Sequence, residues 1–464
     1  MVSSPSSTSL IPFFKFNGSQ TRTRRLFVAG LSAVLAGLLA VMIFEVVKHT
    51  RHRSRATSNA FALDPGFNIS AVAALAQTLP ARSWEFGTAT QALLELYNPE
   101  YSVFARSWEF GTATQALLEL YNAEYSVFGS QPFPVPTLHP SAIPALAYAQ
   151  THITIGTGSN SLANGSGAVG DPASLGVGAV MLSKTNSTFA AACQDEIDFL
   201  VSGAPRYING AISQRVNSAE LWADFIYMAP PYLAYFGAAT NNASLIETAY
   251  TQCGLYREVL LLGSNSSTPS ALNSSTTDGR WRHIIGPPSP DLGLWSTGNG
   301  WAAAGMARVL ATIMKAPAAQ NATWKADAVA NLTGWIKEIV DGARSSPVDG
   351  NLLRNYLDDT TADGMGFGEI SGSSLLASVA YRMVLLAPNA FSPASTYVAW
   401  ADGIRAELGK DDHVTSNGTV TPAVNPLGWW ESTPWTSGSP EGQNFVVLMY
   451  AAWRDCVSAG VCQA

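Results

Sequence analysis

Apolar stretches of helical length recur along nearly the whole chain, and this periodicity constrains the fold more than any single motif. Candidate helices cover 84–97, 108–121, 172–184, 188–202, 218–239, 243–262, 299–315, 322–343, 372–386, 394–408 and 441–458, separated by loops rich in Gly, Pro and Ser. Several are apolar nearly all round, as in LLASVAYRMVLLA (375–387). A helix without a polar face must be enclosed by other helices. Strand signals are short and few: Trp281–Ile285, and His413–Thr421 with Asn417-Gly418 at its turn. About a dozen helices predict an all-α protein whose helical hairpins close into a toroid; two helical domains side by side are the alternative.

With 47% hydrophobic residues, 13% charged residues and 13 Trp, the chain can fill a large core, which excludes global disorder. Charge is uneven. Residues 1–55 carry eight Lys/Arg against Glu45 alone, leaving 18 basic and 32 acidic residues after them. An acidic body without a basic patch argues against a nucleic-acid partner, which requires phosphate neutralisation.

Leu26 to Phe44 is free of charge and, at about 1.5 Å per residue, just long enough for a bilayer core of about 30 Å. The expected organisation is a cytoplasmic tail (1–25), a single-pass membrane signal anchor (26–47), a linker (48–66) and one domain (67–464); a cleaved signal with a long front end is the alternative. Four Lys/Arg lie on each side of the span, so charge does not orient it. Asn-x-Ser/Thr sequons at Asn68, Asn164, Asn186, Asn242, Asn265, Asn273, Asn321, Asn331 and Asn417 point to a glycosylated lumenal or extracellular body. Its four cysteines, Cys193, Cys253, Cys456 and Cys462, allow two disulfides, with Cys456–Cys462 the most natural pair. No Cys/His cluster has zinc spacing, so neither a metal nor another cofactor is expected.

ARSWEFGTATQALLELYNPEYSVF (81–104) is followed at once by ARSWEFGTATQALLELYNAEYSVF (105–128), differing only at Pro99 and Ala123. Two copies without a third do not make a solenoid. One copy is expected to supply a helix of the fold and the other to be an insertion.

Chemistry-bearing residues gather in four places. In Asn217–Pro231, Asn217 and Glu220 have capping-box spacing, and Glu220 and Asp224 would share a helical face. Asp224 lies in an otherwise apolar run, where burial would raise a carboxylate pKa toward neutrality; pairing with an Arg is the structural alternative. Two loops follow, Asp278-Gly279-Arg280-Trp281-Arg282-His283 and Trp295-Ser296-Thr297-Gly298-Asn299-Gly300-Trp301, whose indoles suit sugar faces or, singly, a core. Gly368-Glu369-Ile370-Ser371-Gly372 opens a helix, either as an anion-binding end or as an ordinary cap. Trp429-Trp430-Glu431-Ser432-Thr433-Pro434-Trp435 is a fourth, aromatic loop. Rival motifs fail: Gly165–Gly170 matches GxGxxG with no strand before it, and the calcium-like loop from Asp359 has Ile370 at its twelfth position.

Taken in order over roughly residues 200–455, these segments resemble the six-hairpin glycosidases, and within them the family 105 unsaturated rhamnogalacturonyl hydrolases. The resemblance rests on Trp222-Ala223-Asp224 with Tyr227-Met228-Ala229-Pro230, on Trp281-Arg282-His283, on Trp295 to Trp301, and on Glu369-Ile370-Ser371-Gly372-Ser373. It implies an (α/α)6 barrel and a hydrolase acting on oligosaccharides with unsaturated uronyl ends. Asp224 would be the general acid/base, with Trp222, His283, Trp295, Asn299 and Trp301 lining the sugar site. The family's supporting acid would be Glu85 or Glu109. One departure is that Thr297 stands where the family has an Arg suited to a uronate carboxylate. A catalytically inactive carbohydrate-binding relative is the competing reading.

Overall fold

The chain divides into two units, Met1–Arg55 and Ala56–Ala464. The structure, a computed structural model, describes residues 60–82, 107–163, 167–263, 278–287, 289–361, 365–410 and 413–464, all in the second unit. The expected tail, the membrane anchor at 26–47, most of the linker and the first repeat copy after Arg82, with Glu85, lie outside the described residues. Among the described residues no helix is long and apolar enough to cross a membrane.

Thirteen α-helices are described: α1 Ile69–Arg82, α2 Ser107–Tyr121, α3 Pro144–His152, α4 Gly170–Ser174, α5 Gly176–Ser183, α6 Ser187–Asp198, α7 Phe225–Ala239, α8 Ala243–Leu260, α9 Ser296–Lys315, α10 Lys325–Arg344, α11 Ile370–Leu386, α12 Ala394–Leu408 and α13 Pro440–Ser458. Helices α4 and α5 act as one element, broken at Leu175. The second repeat copy forms α2.

Burial separates two kinds of helix. In α9 every residue from Ser296 to Ile313 is buried, and α11 is buried from Ile370 to Val384. In α10 only Ala328, Leu332, Ile336, Ile339, Val340, Gly342 and Ala343 are buried, the one-sided spacing of a helix that faces solvent. The fully buried helices pack in sequence, α2 on α4, α4 and α5 on α7, α7 on α9, α9 on α11, α11 on α13, and α13 back on α2. Each has an outer partner: α3 covers α2, α6 covers α5, α8 covers α7, α10 covers α9, α12 covers α11, and α1 covers α13. Six inner and six outer elements alternate along the chain, so the ring closes and all inner helices run the same way. This is the expected (α/α)6 barrel.

Close approach within the ring is set by small residues. Pro230 and Pro231 lie inside α7 and supply no N–H, so the carbonyls of Ile226 and Tyr227 lose their helical donors. Helix α9 answers both. Gly305 lies against the Ile226 carbonyl, and Arg308 Nη1 donates to the Tyr227 carbonyl at 3.0 Å.

Strands are minimal. β1 (Leu221–Trp222) pairs antiparallel with β2 (Ile284–Ile285), Trp222 opposite Ile284, and β3 (Val348–Asp349) with β4 (Leu352–Leu353). The expected hairpin around Asn417-Gly418 is present as a bridge between Val414 and Val420, with Gly418 at φ +88°. Cys456 and Cys462 form a disulfide, whereas Cys193 and Cys253 are buried free thiols, so the second possible disulfide is not made.

Candidate active site

One expectation fails at the centre of the site. Helix α7 begins at Phe225, not near Asn217, and Glu220 and Asp224 do not share a helical face. Residues 221–222 are drawn into β1 instead, and Ala223 N–H donates to the His283 carbonyl at 3.0 Å. Glu220 is spent on its surroundings: its carboxylate accepts from Trp222 Nε1 at 2.7 Å and from Ser289 N at 2.7 Å. Asp224 is thereby left as the N-cap residue of an inner helix, at the mouth of the barrel.

The β1–β2 pairing brings His283 to Asp224. His283 Nε2 lies 3.3 Å from Asp224 Oδ2 but makes no aligned hydrogen bond, so the contact is Coulombic. On its far side, Nδ1 donates to Asp291 Oδ2 at 2.9 Å, and Tyr356 donates its hydroxyl to the same oxygen at 2.5 Å. Burial would lower the His283 pKa, but Asp224 and Asp291 outweigh it and hold the ring above its ordinary value. The imidazole thus lies between the Asp224 and Asp291 carboxyl groups, and Asp224 Oδ2 accepts no hydrogen bond from the protein.

Aromatic rings roof this pair. Trp222 meets His283 and Trp429 edge-on, with centroids at 5.6 and 5.2 Å; His283 lies 4.4 Å from Trp295 and 5.2 Å from Trp429. Asn355 ties the roof together, accepting from Trp295 Nε1 at 2.9 Å and donating to the Trp429 carbonyl at 3.2 Å. Trp430, next along, is 55% exposed. Asp224 itself is 8% exposed, with Oδ2 buried.

The other expected residues have different surroundings. Trp301 is fully buried between Tyr227 and Phe445. The Asn299 amide is committed to backbone, accepting from Trp281 N at 2.8 Å and donating to the carbonyls of Trp281 and Trp295. Glu369 is a helix cap, accepting from Ser371 N, Gly372 N and Ser296 Oγ, and from Thr297 Oγ1 at 3.2 Å. Thr297 is therefore turned inward, fully buried.

The inner helices all present their N-terminal ends here, and acids occupy five of the six, α9 being the exception: Glu109 in the first turn of α2, Asp171 in α4, Asp224 before α7, Glu369 before α11, Glu441 in α13. Helix N-termini favour negative charge. Glu441 accepts from Trp108 Nε1 at 2.9 Å, while its other oxygen is buried without a hydrogen bond. Burial, then the charges of Asp224, Glu109 and Glu369, raise its pKa well above the carboxylate range. Asp171, which accepts from Gln214 at 2.9 Å, is pushed up to about 6, chiefly by burial. Among the described residues no cluster of His, Cys, Asp or Glu is arranged to hold a metal. Sequence reasoning passed over Asp171, Glu441, Asp291 and Tyr356. A lone Asp after the Gly165–Gly170 loop carries no local signal; its position at the start of an inner helix is what matters.

Residues 179–332, which hold Asp224, His283 and the Trp295–Trp301 loop, match the family model Glycosyl Hydrolase Family 88. Among solved structures, a possible family 105 member from Salmonella enterica serovar Paratyphi A aligns at TM-score 0.56 and 14% identity, covering 76% of this chain and 83% of that one. A glycosyl hydrolase family 88 protein from Bacteroides vulgatus aligns at 0.54 and 14% (80% and 97% covered), and a family 105 glycoside hydrolase from C. acetobutylicum at 0.54 and 12% (77% and 97%). No curated protein matches the sequence. The chain thus has the six-hairpin glycosidase fold and, in its central segment, the sequence pattern of Glycosyl Hydrolase Family 88, which together support a glycoside hydrolase.

Proposed function

We propose that the protein hydrolyses oligosaccharides bearing a 4,5-unsaturated uronyl end, with Asp224 as general acid/base. The observation that carries this reading is an Asp224 carboxyl group whose Oδ2 accepts no hydrogen bond, 3.3 Å from His283, a ring that itself packs against Trp222 and Trp429. In its protonated form Asp224 gives a proton to C4 of the ring, and the carboxylate so formed takes one from a water whose oxygen bonds to C5. The hydrated ring, now a hemiketal at C5, opens, and the glycosidic bond is lost. His283, oriented by Asp291 and Tyr356, balances the charge on Asp224 as the proton moves. Asp171 is suited to a supporting proton-holding role.

The test is loss of the conjugated double-bond absorbance of an unsaturated disaccharide. The parent turns over and Asp224→Asn falls by on the order of 10²–10⁴. Equal rates in the two proteins would remove Asp224 from its role. Sugar binding by the parent without turnover on unsaturated or saturated oligosaccharides would favour the non-catalytic carbohydrate-binding reading.

We also propose that the domain is displayed on the lumenal or extracellular side of a membrane through residues 26–47. The uncharged run Leu26–Phe44, the exposure of Asn68, Asn186, Asn242, Asn321, Asn331 and Asn417, and the Cys456–Cys462 disulfide support this. Alkaline extraction of membranes and glycosidase-induced mobility shifts test it: release into the supernatant, or no shift, counts against it.

A further inference from the structure

The mouth of the barrel poses an electrostatic problem for a uronate. Its carboxylate would enter a site ringed by Glu109, Asp171, Asp224, Glu369 and Glu441, and Thr297, at the position where the resembling family has an Arg, is buried against Glu369. His283 is enclosed by Asp224 and Asp291, so a further cation is required nearby, because an unpaired carboxylate loses its hydration on entry.

Arg215 meets this need. Its guanidinium lies over the face of Trp222, with Cζ 4.5 Å from the ring centroid, and its side chain is 30% exposed. Its backbone is fixed by a bridge to Ala168 and by the N–H bond to Ser213 Oγ at 3.0 Å. Two acids face it without holding its donors: Arg215 Nε is 3.7 Å from Glu220 Oε2, an ion pair beyond hydrogen-bond distance whose carboxylate is engaged by Trp222 and Ser289, and its charge acts on Asp171. The guanidinium is a planar, partly exposed fork whose donors make no hydrogen bond among the described residues, and it lies over the indole of Trp222, two residues before Asp224 in the chain. Guanidinium forks pair with carboxylates through two parallel bonds.

We propose that Arg215 is the specificity-determining residue that receives the substrate's uronyl carboxylate, doing from the Ala168–Arg215 bridge what position 297 does not do here. This rests on the hydrolase reading above and adds to it the group that selects acidic over neutral sugars.

The experiment compares the full chain with Arg215→Gln and Arg215→Lys on an unsaturated uronyl disaccharide and on its methyl ester. In the parent, KM for the free acid is expected to be lower than for the ester. Arg215→Gln raises KM for the free acid by roughly 10- to 100-fold, leaves the ester nearly unchanged, and alters kcat less than KM. Arg215→Lys, which keeps the charge but not the fork, falls between. An unchanged acid-to-ester ratio in Arg215→Gln overturns the proposal. Calorimetric Kd values for the same two ligands separate the two readings. A parent that turns over neither ligand sinks the hydrolase assignment, yet an Arg215-dependent preference for the acid in binding upholds this one. Absence of that preference in both turnover and binding sinks it.

Discussion

The contact between α7 and α9 supports a prediction in which one substitution has opposite effects at two sites. Gly305 and Gly334 both lie inside long helices. Alanine is about 1 kcal/mol better than glycine in a helix interior, so propensity alone makes both replacements stabilising. Nothing lies within 4 Å of a methyl at Gly334, and that site should gain close to the full amount. At Gly305 a methyl would fall deep inside the Ile226 carbonyl and 2.6 Å from Tyr227 N. Both are backbone atoms of a fully buried helix, unable to rotate away, so α7 and α9 must separate. Overpacking of this kind costs about 1–3 kcal/mol, and immovable backbone puts the cost at the upper end. The net expectation is a loss of roughly 2 kcal/mol for Gly305→Ala and a gain of roughly 1 kcal/mol for Gly334→Ala. At about 2.1 cal/mol/K per residue over roughly 400 residues, one kcal/mol moves Tm by only about 1 °C. The two variants should therefore melt about 3 to 4 °C apart, and urea midpoints should shift in the same order. If the two variants had equal stability, the claim that Gly305 is demanded by the carbonyls freed at Pro230 and Pro231 would be refuted.

Two further outcomes separate structural from chemical roles. Asp171 holds its proton more firmly in the folded state, about 6 against 3.8, so its favourable contribution is full below pH 4 and is lost as pH rises to 6. Asp171→Asn should match the parent's stability below pH 4 and exceed it by on the order of 3 kcal/mol above pH 6, measured by denaturant melts across that range. Asn299→Ala should lower stability by on the order of 2 to 3 kcal/mol, because the Trp281 N–H and two carbonyls lose partners. A rise in KM at unchanged melting temperature would instead return Asn299 to the sugar site.

The toroid was legible because apolar periodicity is a local property: 394–408 coincides with α12, and most other helical spans agree within three residues. Helices α1 and α3 were missed, the one ending beyond Pro80 and the other nine residues long behind Pro144, where proline reads as a boundary. The start of α7 was misread because the Asn217–Glu220 spacing is a local cue, whereas Glu220 is claimed by Ser289, 69 residues away. The site divides along the same line. Asp224, His283 and Trp222 were found as a cluster of unusual residues and converge in space. The surroundings of Trp301 and Asn299 depend on which way an inner helix faces, and no periodicity reports that when every face is buried. Arg215 and Asp171 come into view only once the ring is closed.

The common direction of the six inner helices has a consequence for polarity across the barrel. Parallel dipoles side by side repel, and in this ring nothing antiparallel separates them. Acids at most leading ends, and Lys315 and Arg454 on carbonyls near the trailing ends, offset that strain. At the trailing ends the guanidiniums are buried and spent inside the ring, Arg382 on Glu119 and Asp455, Arg454 on Asp455 and the carbonyls of Leu120 and Glu119, so that end is tied shut by ion pairs while the leading end keeps the groups that can move a proton.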